Sequence, residues 1–139
     1  MRKAALLVSI AVFAPQVAAA ASKGGIKLLN TIPDAYWGTW APGTGPCKDG
    51  DTDAIVLSAK SYAGPLGTCD VASVSESSSP KGPVYSARLQ CADPGQPQKK
   101  APANLIIRPA ETNQISVGPG FESLKTYQRC SGNTPAPKQ

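Results

Sequence analysis

Clusters of Gly, Pro, Ser and Asp cut the chain between Tyr36 and Arg129 into short apolar segments. This punctuation leaves room for strands but not for helices. The breakers are Pro42-Gly43, Gly64-Pro65, Ser79-Pro80-Lys81-Gly82-Pro83, Pro94-Gly95 and Gly118-Pro119-Gly120. Between them lie candidate strands at Tyr36–Trp40, Ala54–Ser58, Thr68–Ser75, Val84–Cys91, Ala103–Arg108, Gln114–Val117 and Ser123–Arg129. After Ala21, no apolar 3.6-residue period persists for the roughly 11 residues that identify a helix. The expectation is an all-β domain, a small antiparallel barrel or sandwich.

Met1 to Ala21 states a destination. Arg2 and Lys3 form a basic start, Ala4 to Val17 an apolar core, and Ala18 to Ala21 a small-residue run with A-x-A-type cleavage frames. The expected processing is cleavage between Val17 and Ser22, releasing a soluble periplasmic or secreted protein with no further membrane contact. Residues 22–34 read as a lead-in segment, 35–130 as the β-domain and 131–139 as a disordered tail. About 118 residues then remain, a single-domain length that benefits from covalent staples.

All four cysteines, Cys47, Cys69, Cys91 and Cys130, follow the leader. In an exported chain an even count reads as disulfides. If Thr68–Ser75 and Val84–Cys91 form a hairpin centred near Pro80, Cys69 lies opposite Cys91 and Val71 opposite Leu89. That register pairs Cys69 with Cys91 and leaves Cys47 for Cys130. The rival connectivity, Cys47 with Cys69 and Cys91 with Cys130, stays open at this level.

Composition excludes several chemistries. The chain has no His, and its single Met is Met1, so imidazole catalysis, His-ligated zinc and haem ligation by His or Met drop out. Without Arg2 and Lys3 the formal charge of +5 falls to +3, scattered rather than striped, which argues against nucleic acid. Asp49-Gly50-Asp51-Thr52-Asp53 opens like a calcium loop, but Ala54 and Lys60 stand where its glycine and bidentate glutamate belong. It reads as a polar turn. Ser78-Ser79-Pro80-Lys81 spells S-x-x-K, yet that motif needs a helix and this one lies in a Pro/Gly hinge. Paired C-x₂₋₄-C knuckles for zinc are missing, and the carboxylates are scattered singly. No cofactor and no metal are expected.

Tyr36-Trp37-Gly38-Thr39-Trp40 holds both tryptophans. On a strand, Tyr36, Gly38 and Trp40 share one face and Trp37 points to the other. Gly38-Thr39-Trp40 resembles the G-x-W that opens the first strand of calycin barrels: lipocalins, avidins and small bacterial metalloprotease inhibitors. The resemblance implies a barrel in which an arginine on the last strand packs over the tryptophan. Arg129 is the candidate equivalent, so Gly38, Trp40 and Arg129 are expected to be structural. The frame is also similar to small uncharacterised exported bacterial proteins with Ile-Pro, G-x-W, a following cysteine and a terminal Tyr-x-Arg-Cys, here Ile32-Pro33 through Tyr127-Gln128-Arg129-Cys130. It supports Cys47–Cys130 and carries no known activity.

The expected role is non-enzymatic: a monomer that recognises an unknown protein or small ligand in the periplasm, with inhibition of an envelope or secreted enzyme as one version. Trp37, at least partly exposed, is the candidate binding residue. The alternatives are a small carboxylate- or serine-based hydrolase and a structural envelope protein.

Overall fold

The computed structural model describes residues 25–43, 47 and 52–130. The expected leader, the tail at 131–139 and Asp49 to Asp51 of the acidic turn lie outside the described residues. Nine strands follow in order: β1 (Lys27–Leu29), β2 (Gly38–Pro42), β3 (Ile55–Leu57), β4 (Ser61–Gly64), β5 (Gly67–Ser79), β6 (Gly82–Asp93), β7 (Gln96–Pro109), β8 (Gln114–Gly118) and β9 (Lys125–Arg129). Single 3₁₀ turns lie at Asp34–Tyr36 and Phe121–Ser123.

From β2 to β9 each strand pairs antiparallel with the next, and β9 returns to β2 through Trp40 opposite Arg129. The result is a closed eight-stranded up-and-down barrel, with β1 added against Val74 to Glu76 of β5. Closure removes the edges that an open sheet of this size would expose. Inward positions alternate along the strands, from Trp40, Ile55, Leu57 and Tyr62 round to Ile115, Val117 and Tyr127. Eight strands enclose a space just wide enough for side chains to fill.

The hairpin register holds at the cysteines. Cys69 faces Cys91 and Val71 faces Leu89, and both disulfides, Cys69–Cys91 and Cys47–Cys130, are present. A bulge at Ala72 then shifts the remaining pairs by one, from Ser73 opposite Arg88 to Ser79 opposite Gly82. The bulge has a reason. Pro80 and Lys81 turn the chain, and Gly82 takes φ +108°, which L side chains rarely adopt. The register set by that turn, continued unbroken, puts Cys69 opposite Ala92 and leaves Cys91 on the other face. One extra residue restores the pairing and bends the strand.

Several elements differ from the sequence-based expectations; the strand expected at Ala103–Arg108, for one, runs from Gln96 to Pro109. The strand expected at Tyr36–Trp40 begins only at Gly38, because Tyr36 and Trp37 donate their N–H groups to Pro33 and Asp34 in a 3₁₀ turn. Ser61–Gly64 forms a strand where none was expected. The segment read as a lead-in contributes β1 and puts Ile32 fully into the core, its N–H bonded to the Ala59 carbonyl at 3.0 Å.

Beyond Ile106, β7 outruns its neighbour β8, so from Gln96 to Leu105 its ladder partner among the described residues is β6. This open stretch carries Pro97, Lys99, Lys100 and Pro102, the residue types that keep an exposed edge from pairing with another chain. Lys100 also forms an ion pair with Asp70 on β5.

Candidate functional site

One end of the barrel is closed by Ile32 to Trp37. The Trp37 indole N–H donates to the Ile32 carbonyl at 2.8 Å, and that of Trp40 to the Tyr36 carbonyl at 2.9 Å. From the end of β9 the Arg129 guanidinium lies 4.2 Å from the centroid of the Trp40 ring. It donates to the Trp37 carbonyl at 2.8 Å and to that of Ala35. One cation therefore stacks on the core tryptophan and holds two carbonyls of the 3₁₀ segment that precedes β2.

Gly38 makes this approach possible. Its φ of +124° turns the chain from the 3₁₀ segment into β2, a conformation open to glycine. Trp40 is 2 % exposed. Trp37 is half-buried and packs against the core. Its indole N–H is thus engaged within the fold, and the structure brings Trp37, Gly38, Trp40 and Arg129 together at the closed end.

Beside them, the Tyr36 and Tyr85 rings meet edge to face at 5.3 Å. Burial first, then the nearby Tyr36 hydroxyl and Glu76 carboxylate, push the Tyr85 hydroxyl up to about 12. Burial likewise raises Tyr36 and Tyr62. In the unfolded chain tyrosines ionise near 10.0. Between there and about 12 the unfolded state has lost protons that the folded state keeps. Stability is therefore full below that window and falls as pH rises through it. Denaturant midpoints measured across the alkaline range should decline, and Tyr85→Phe should flatten the decline; an unchanged slope in the variant would remove Tyr85 as its source.

Among the described residues, two concavities bear on binding. The open mouth opposite Ile32 holds a pocket of about 90 Å³ lined by Tyr62, Leu66, Leu105, Val117, Lys125 and Tyr127. It is smaller than the roughly 150 Å³ enclosed apolar cavity that holds benzene. On the outer face, a groove of about 380 Å³ runs between the β5–β6 tip and the 3₁₀ turn after β8. Ser78, Pro80, Lys81, Val84, Arg108 and Phe121 line it.

The Ser78–Lys81 run caps an extended hairpin, so the hydroxyl and amine are not presented from one helical face. Among the described residues, no cluster of three or more His, Cys, Asp or Glu could hold a metal ion. The groove escaped the sequence reading because its residues come from β5, β6, β7 and the turn after β8. Phe121 carries a signal as a large aromatic just after Gly118-Pro119-Gly120, and the Ser78–Lys81 run stands out only as an S-x-x-K match.

Comparison with protein-family models, with curated proteins and with solved structures gave no match.

Proposed function

We propose that this chain is an exported periplasmic domain with a calycin-like barrel, which recognises a protein partner from its outer surface. One observation carries the reading. The barrel interior is occupied by its own side chains, with Ile55, Leu57, Leu89, Leu105, Ile107 and Ile115 at most 2 % exposed. Displacing even one of them to admit a ligand costs several kcal/mol of core packing. Recognition therefore belongs to the outside, and inhibition of an envelope or secreted enzyme is one concrete form of it.

Export is supported by the basic and apolar leader and by two disulfides, which suit an oxidising compartment. The calycin-like reading rests on G-x-W opening the first barrel strand and on Arg129 over Trp40.

The test is capture. The mature domain, with both disulfides intact, is immobilised and exposed to periplasmic extract, and retained material is identified by mass spectrometry. A protein retained in defined stoichiometry is expected. Retention of a small apolar molecule in place of any protein would overturn the reading.

A further inference from the structure

Lys81 and Arg108 both border the outer groove, and neither forms an ion pair among the described residues. No acidic side chain lines the groove among those residues, so its two positive charges have no counter-charge in its lining. Its lining also has an apolar part: Val84 is 7 % exposed, and Phe121 is exposed at 62 %. A large aromatic held out on a Gly-bounded turn, next to unpaired cations, is the arrangement that marks a contact surface rather than a core. Ser78 adds an exposed hydroxyl at the hairpin tip.

We propose that this groove docks an extended acidic segment of a partner protein. In the docked state, carboxylates on the segment meet Lys81 and Arg108, and an apolar side chain of the same segment lies on Phe121 and Val84. The inference rests on the reading of this domain as a protein-recognition module and names the surface and partner chemistry. The occupant follows from the groove. Two cations without a counter-charge in the lining call for anions, and the apolar part of that lining calls for a non-polar group in the same ligand. The outer, unenclosed position suits an extended chain better than a compact small molecule. Arg108 can hold a carboxylate with two parallel hydrogen bonds, whereas Lys81 acts as a point charge at the rim.

The experiment uses the isotope-labelled mature domain with both disulfides formed. The probe is a blocked peptide with the sequence Glu-Glu-Leu-Glu-Glu, followed by amide chemical shifts. A Gln-for-Glu peptide and polygalacturonate, an acidic polysaccharide, are run as separate arms. The expected result is saturable shifts at Ser78, Lys81, Arg108 and Phe121 with the acidic peptide, absent with the glutamine peptide and weakened by salt. The double variant Lys81→Ala/Arg108→Ala should weaken binding about tenfold, with shifts away from the two substituted positions small; Lys81 is exposed and Arg108 half-buried.

Shifts confined to other regions, or equal shifts with the glutamine peptide, would overturn the inference. Tighter binding of the polysaccharide at the same amides would overturn the choice of occupant. If a protein captured from extract is retained equally by the double variant, the groove is not its docking surface, while protein recognition itself stands.

Discussion

Reducing both disulfides is expected to unfold the mature domain near room temperature, or to lower its denaturant midpoint so far that little native baseline remains. The Cys47–Cys130 bridge closes a separation of 83 residues and Cys69–Cys91 one of 22. In the chain-entropy account these are worth about 4.5 and 3.4 kcal/mol respectively, against a net stability of about 5–15 kcal/mol for a typical domain. The two are nested, so closing the inner loop shortens the outer one and their effects fall somewhat short of additive. Paired Cys→Ser variants separate them. Chemical melts should show the larger loss for Cys47→Ser/Cys130→Ser, since that bridge ties the segment after β2 to the end of β9. Equal, small losses for both pairs would show that the barrel's stability comes from packing alone.

Trp40→Ala is expected to cost about 3–5 kcal/mol, the range for emptying a buried aromatic position. Trp40 is 2 % exposed and carries the stacked Arg129 guanidinium, so its loss both opens a cavity and strands a cation. Arg129→Ala should cost less but still substantially. It removes a cation–π contact worth about 0.5–2 kcal/mol and leaves the Ala35 and Trp37 carbonyls without their donor. Because the two residues touch, the double variant should lose less than the sum of the singles, and that shortfall measures their coupling. Trp37→Ala should be the mildest of the three, because Trp37 is only half-buried. Denaturant melts check the order; Trp37→Ala as the most damaging change would invert the roles given to the two indoles.

These two predictions rest on features that were unequally legible. The Cys69–Cys91 pairing could be reached because hairpin register depends on local sequence: the breakers located the turn, and period-two alternation placed both thiols inward. The bulge at Ala72 could not be reached that way, since it answers a mismatch between the turn at Pro80-Lys81 and the required cysteine pairing. β4 was missed because its four residues offer one strongly buried apolar position, Tyr62, too little for a periodic signal. The alternation of Tyr36 with Gly38 and Trp40 is regular in sequence and points to a strand. At φ +124°, Gly38 breaks that alternation, and only three-dimensional closure requires it.

The groove was the least legible feature of all. Lys81, Val84, Arg108 and Phe121 are scattered between positions 81 and 121 and gain meaning only once β6, β7 and β8 lie side by side. Trp37 was the natural binding candidate from sequence, being an aromatic on the face opposite the core. In the fold Trp37 is half-buried, with its indole N–H bonded to the Ile32 carbonyl, and Phe121 is a second aromatic, held out at 62 % exposure.

The proposal that recognition happens on the outside of a filled barrel is tested most directly by native mass spectrometry of the protein, isolated gently from its native source. The account predicts a mass equal to the polypeptide with two disulfides, alone or in complex with another protein. A stoichiometric small apolar molecule, travelling with the folded protein and released only on unfolding, would contradict it.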